Sequence, residues 1–102
     1  MDYRVVLSRS ARSDITDIVR YISVDDPKRA LTFGRFLLRH ARSLGQFPLR
    51  GRVAPEFDDD NIRELIARAY RIVYRINHEE QLIEIIRFWH AGRGTPEMFP
   101  RN

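Results

Sequence analysis

The sequence predicts a small α+β domain: a helical hairpin packed on one face of a mainly antiparallel four-stranded sheet, in the order β-α-α-β-β-β. Three observations predict it. Two stretches of the N-terminal half repeat apolar residues at three- and four-residue spacing, the signature of a helical face. The C-terminal half carries Asn-Ile-Arg-Glu-Leu-Ile from Asn61, Tyr-Arg-Ile-Val-Tyr-Arg-Ile from Tyr70 and Ile-Glu-Ile-Ile-Arg-Phe-Trp-His from Ile83, three strands in tight succession. A chain of 102 residues is one domain over 1–102, long enough to bury a modest core without covalent staples.

Each element has a local reason. Tyr3 to Leu7 is rich in β-branched and aromatic character and reads as a first strand, stopped by a serine cluster in which Ser8 or Ser10 can cap the helix that follows. Ala11, Ile15, Ile18, Val19 and Ile22 share one face of that first helix. Asp25-Asp26-Pro27 closes it and opens the second, because aspartate is a favoured N-cap and proline loses nothing at the first helical position. Ala30, Phe33, Leu37, Ala41 and Leu44 form the second stripe, with Phe36, Leu38 and His40 widening it and Gly45 as its stop. Pro48 to Asp60 reads as the one long irregular stretch, either a functional loop or an extended link to the sheet. Short connections at Arg68-Ala69 and Asn77 to Gln81 imply an antiparallel meander.

Composition narrows the function classes. No cysteine is present, which excludes disulfides and thiolate metal sites. Met1 is followed by a charged strand and no apolar run approaches a membrane span of roughly 18 residues, so the expectation is a cytoplasmic protein with no membrane contact. The formal net charge is +4, and every basic residue except Lys28 is arginine. Arginine's planar fork suits phosphates and carboxylates, although a GC-rich genome produces the same skew. The excess sits on the helices: basic side chains outnumber acidic ones by eleven to five from Met1 to Ala54, against seven to nine beyond.

Strand alternation sends Tyr70, Ile72, Tyr74 and Ile76 toward the helices and Arg71, Val73 and Arg75 to the other, partly open face. There, Arg71 and Arg75 would bind phosphates or a partner's carboxylates, would pair across strands with Glu64 and Glu84, or would simply be solvated. His90, Gly92 and Arg93 follow at the exit of the last strand. Histidine titrates near neutrality and arginine stabilises developing phosphate charge, but a histidine at a strand end also serves as a cap. Phe88 and Trp89 would offer stacking surface to bases, with one of the two in the core. His40, His78 and His90 are scattered, no zinc spacing or phosphate-cradling glycine loop occurs, and no metal or cofactor is expected.

Taken in order, Gly-Arg-Val-x-Pro-Glu at Gly51 to Glu56, the Asn61 run, Tyr70-Arg-Ile-Val-Tyr-Arg and His90-Ala-Gly-Arg93 resemble the ParE-type branch of the RelE/ParE family of bacterial type II toxins. The resemblance covers nearly the whole chain. It implies a plasmid-stabilising or growth-arresting toxin neutralised by a ParD-like or RelB-like antitoxin, in a hetero-oligomer that meets operator DNA through the antitoxin. The antitoxin would lay a helix in the groove of the hairpin, around Ile15, Ile18, Phe33 and Leu37.

Two activities follow from the same resemblance. ParE-like members bind DNA gyrase and trap cleaved DNA, in which case Arg63, Arg75 and Trp89 are the expected target contacts and the protein is not an enzyme. RelE-like members cleave mRNA on the ribosome with basic residues of the open sheet face and a tyrosine, or a histidine-tyrosine pair, near the C-terminus. Arg71 and Arg93 match such arginines, with His90 as proton carrier and Glu64 as its only neighbouring alternative. Phe99 stands about where the tyrosine is expected, and only one lysine is present. The first expectation is therefore a gyrase inhibitor acting by binding, the alternative a ribosome-dependent endoribonuclease, and a third possibility a degenerate toxin that only binds its antitoxin.

Overall fold

The computed structural model describes residues 2–98; Phe99 lies outside the described residues. Strand β1 (Arg4–Leu7) leads into helices α1 (Arg9–Ser23) and α2 (Pro27–Ser43), then β2 (Arg52–Val53), β3 (Ile62–Ala67), β4 (Tyr70–Asn77) and β5 (Leu82–His90), followed by a 3-10 turn at Ala91–Arg93. The helix starts are fixed where expected. The Ser8 side chain accepts the Ala11 amide at 3.0 Å, and the Asp26 carboxylate accepts the Arg29 amide at 3.0 Å with Pro27 at the first turn. Gly45 has a different role from a left-handed helix stop. Tyr3 donates its amide to the Gly45 carbonyl at 2.8 Å, and a Cβ there would lie 2.6 Å from the Tyr3 carbonyl oxygen, so glycine permits β1 to cross against the end of α2.

The sheet has five strands, ordered β1-β5-β4-β3-β2, one more than expected. The addition is β2, two residues within the stretch that read as irregular, pairing Arg52 with Glu64 and Val53 with Arg63. Gly51 makes the approach possible, since a Cβ on it would lie 2.5 Å from the Glu64 carbonyl oxygen and 2.7 Å from the Tyr74 hydroxyl. That hydroxyl accepts the Gly51 amide at 3.0 Å and donates to the Pro48 carbonyl at 2.7 Å, tying the link to the core. All pairs are antiparallel except β1 with β5.

β1 ends opposite Ile85, which leaves the outer edge of β5 unpaired beyond that point. The start of α1 covers it. Ser8 donates its hydroxyl to the Ile86 carbonyl at 2.9 Å, and the Asp14 carboxylate accepts the Phe88 amide at 3.0 Å, so two exposed ladder groups are satisfied by side chains.

A β-bulge decides which face each half of β5 presents. Val73 pairs with Arg87 but Tyr74 pairs with Ile85, so Ile86 is the extra residue. Ile83 and Ile85 before the bulge, and Phe88 after it, all pack in the main core beneath the helices with Ile72, Tyr74, Leu37 and Ile18. A second, smaller cluster of Ala54, Ile62 and Val73, with Phe57 and Met98 against it, lies on the far face. That face was expected to be partly open. The link after β2 and the segment after β5 cover much of it, while Ile66 stays 53% exposed.

Candidate functional site: a covered sheet face and a groove at the hairpin

On the far face, Arg71 is the centre of an ion-pair network. Its Nε donates to Glu64, and its two terminal nitrogens hold both oxygens of Glu56 at 2.7 Å. Glu64, 1% exposed, also accepts Nε of Arg52 at 2.5 Å. The expectation that Arg71 stands exposed is therefore corrected: it is 8% exposed, because Glu56 folds over it from the link after β2. The cross-strand alternative holds, with Glu64 as partner, and Arg75 lies 3.6 Å from Glu84 in the same manner. The double hydrogen bond to Arg71 holds Glu56 below the ordinary glutamate value of 4.5 and raises Arg71 in turn.

This coupling has a sign. A depressed folded-state pKa contributes stability that is complete above the unfolded value and is lost as pH falls through the folded one. The expected outcome is an acid-unfolding profile that declines below about pH 4.5 and becomes flatter in Glu56→Gln, measured by denaturant titration across pH 2–7.

The segment after β5 is strapped to the same face. Trp89 donates its indole N–H to the Gly94 carbonyl at 3.1 Å, Arg71 reaches the same oxygen at 3.5 Å, and Arg87 donates to the Glu97 carbonyl. Trp89 is only 4% exposed, with the guanidinium of Arg87 at 4.8 Å and that of Arg93 at 3.9 Å from its ring centre. Both Phe88 and Trp89 are thus buried, on opposite faces. Arg87 is held by a bidentate pair with Asp14, which raises its pKa.

The expected catalytic set is divided by the sheet. Tyr70 pairs with His90 and faces the helices, while Arg71 faces away. His90 accepts the Gly92 amide on Nδ1 at 3.0 Å, which leaves the proton of its neutral form on Nε2 and makes it the cap of the 3-10 turn. His90 and Arg93 do share a pocket, without Arg71. The expected target contacts are also separated. Arg63 lies opposite Tyr74 on the helix side, donating to the Gly51 carbonyl at 2.9 Å, whereas Arg75 and the buried Trp89 belong to the far face.

The groove lies on the helix side, where the hairpin tip meets the β3–β4 turn. Two adjoining pockets of about 500 and 480 Å³ share Tyr21, Tyr70 and His90. Ile18 contributes to the first pocket, and Ile22 and Phe33 to the second. Phe33 and His90 flank the Tyr70 ring at 5.6 and 5.3 Å, and burial raises the pKa of its phenol. Arg68 forms one side. It holds a left-handed φ of 55° in the two-residue turn and sets its guanidinium 4.4 Å from the Phe36 ring centre and 5.9 Å from that of Phe33.

Of the four residues expected to meet an antitoxin, Ile18 and Phe33 line this groove and Ile15 is half-buried against the main core. Leu37 is corrected: it is 0% exposed, because it points straight down onto the sheet. Sequence reasoning missed Tyr21, 83% exposed at the mouth, although a large aromatic outside the apolar stripe of α1 is the signal that finds it. It also missed the exposed Phe47 and Leu49 of the link before β2. Among the described residues no helix is long and apolar enough to cross a membrane, and no cluster of metal-ligating side chains occurs.

No curated protein matches the chain. Among solved structures, a chain of the chromosomal ParDE toxin-antitoxin system from P. aeruginosa is similar, with a TM-score of 0.71 and 21% identity over 87% of this chain and 96% of that one. A chain of the toxin-antitoxin complex RelBE2 from Mycobacterium tuberculosis aligns with a TM-score of 0.65 and 23% identity, over 88% and 99% of the two chains. These likenesses establish the fold. The model of the ParE toxin of the type II toxin-antitoxin system parDE matches residues 5–94, which is most of the sequence. The chain belongs to the ParE toxin family of type II toxin-antitoxin systems.

Proposed function

We propose that this toxin acts by binding DNA gyrase in the cytoplasm and that a cognate antitoxin neutralises it by seating an amphipathic helix in the groove of Ile18, Tyr21, Phe33 and Tyr70. The carrying observation is the state of Arg71. Cleavage of RNA by 2′-hydroxyl attack needs a proton acceptor, a proton donor and charge stabilisation around one phosphate. Arg71 is committed to Glu56 and Glu64, and His90 lies across the sheet from it. A toxin that works by occupying a protein surface has no such requirement.

The mRNA-cleaving alternative keeps one observation in its favour, the shared pocket of His90, Arg93 and Tyr70. Pulse labelling after induction separates the two readings. Gyrase poisoning stops thymidine incorporation before methionine incorporation and leaves mRNA intact. Early loss of methionine incorporation, with cuts in mRNA that disappear in His90→Ala, would reverse the assignment.

A further inference from the structure

From Pro27 to Pro55 the chain contains no aspartate or glutamate, yet it carries Lys28, Arg29, Arg35, Arg39, Arg42, Arg50 and Arg52. Helix α2 supplies most of these and sorts them. At 3.6 residues per turn, Lys28, Thr32, Arg35, Arg39 and Arg42 fall within roughly 80° of arc, opposite the Ala30, Leu37 and Ala41 face that enters the core. All five are exposed. Among the described residues, none of Lys28, Arg35, Arg39 and Arg42 takes part in an ion pair. Four of the six arginines in the strands differ, since Arg52, Arg71, Arg75 and Arg87 have carboxylate partners.

We infer that the outer face of α2 is a binding surface for the phosphate backbone of duplex DNA. The stripe from Lys28 to Arg42 runs roughly 21 Å along the helix, a length over which a duplex carries about a dozen phosphate charges. Four cations in line, on long side chains, match a linear polyanion. An acidic protein partner would also need a buried apolar anchor, because interface energy concentrates in desolvated aromatic and aliphatic contacts. Along the stripe the exposed apolar side chain is Leu31, 55% exposed, while Phe33 and Phe36, which share a pocket with Thr32 and Arg39 at its margin, are half-buried and lie under the Arg68 guanidinium. The choice of DNA over RNA rests on the gyrase reading, in which the toxin meets an enzyme already holding a duplex.

The test is fluorescence anisotropy of the purified full-length chain with a labelled 20-base-pair DNA duplex of arbitrary sequence, titrated across salt. It contains no gyrase, so its outcome and that of a supercoiling assay fail separately. Each phosphate contact contributes about 0.9 to the slope of log affinity against log salt, so a slope of about −3 to −4 is expected. The triple variant Arg35→Gln, Arg39→Gln, Arg42→Gln should lose roughly 3 of that slope, whereas the corresponding lysine triple should keep it. Undiminished binding by the glutamine triple would overturn the proposal. So would tighter binding to an RNA hairpin of equal charge, or binding to polyglutamate without binding to DNA.

Discussion

Glu64→Ala is expected to lower the stability of this toxin by about 3 kcal/mol, because it leaves a buried guanidinium with part of its charge uncompensated. The side chain of Glu64 is fully enclosed and accepts from both Arg71 and Arg52. Arg71, 9% exposed at its side chain, retains Glu56 from the link, but the oxygen beneath its Nε is gone. Replacing both members by apolar residues has the opposite expectation. Glu64→Leu combined with Arg71→Met removes the desolvation cost together with the attraction, and such swaps are frequently neutral or stabilising by about 1–4 kcal/mol. The remaining partners tolerate the change, since Arg52 is 69% and Glu56 25% exposed. Urea unfolding of the single and double variants measures the difference. The double variant also separates structure from chemistry: folded protein that still arrests growth assigns Arg71 a structural role, and folded protein that has lost toxicity assigns it a functional one.

In the groove, Phe33→Ala together with Tyr21→Ala is expected to weaken antitoxin binding at least 30-fold while the fold persists, the effect of losing two aromatic anchors at an interface. Phe33 is half-buried beside Tyr70, and Tyr21 stands at the mouth of both pockets. Leu37→Ala provides the contrast. Leu37 touches no solvent, so truncation should cost about 2–5 kcal/mol of stability through the cavity it leaves. Calorimetric titration of antitoxin into each folded variant distinguishes the two effects. Unchanged affinity in the aromatic double variant would move the antitoxin to another surface.

The division between Phe33 and Leu37 shows what periodicity can reveal. Both lie on the apolar stripe of α2, and spacing alone distinguishes the stripe from the solvent side, not its centre from its margin. The two helices were legible because their determinants are local: Ser8 and Asp26 cap them, and their apolar residues recur at helical spacing. The strand β2 was not, because Arg52-Val53 is a strand only through its pairing with β3. The run from Leu82 to Trp89 carries apolar residues at both parities, and the bulge at Ile86 explains it by exchanging the inward parity partway along the strand. Arg71 was misplaced for a related reason. Alternation puts it on the correct face, but Glu56 and the segment after Arg93, which cover that face, arrive through tertiary contacts that strand alternation does not encode.

Gyrase supercoiling of relaxed plasmid, with purified antitoxin-free protein, separates gyrase binding from RNA cleavage on isolated components. Gyrase binding predicts loss of supercoiled product together with accumulation of linear DNA at toxin concentrations near that of the enzyme. Complete supercoiling in the presence of protein that still arrests growth would contradict it, and would return His90 and Arg93 to consideration as agents of RNA cleavage.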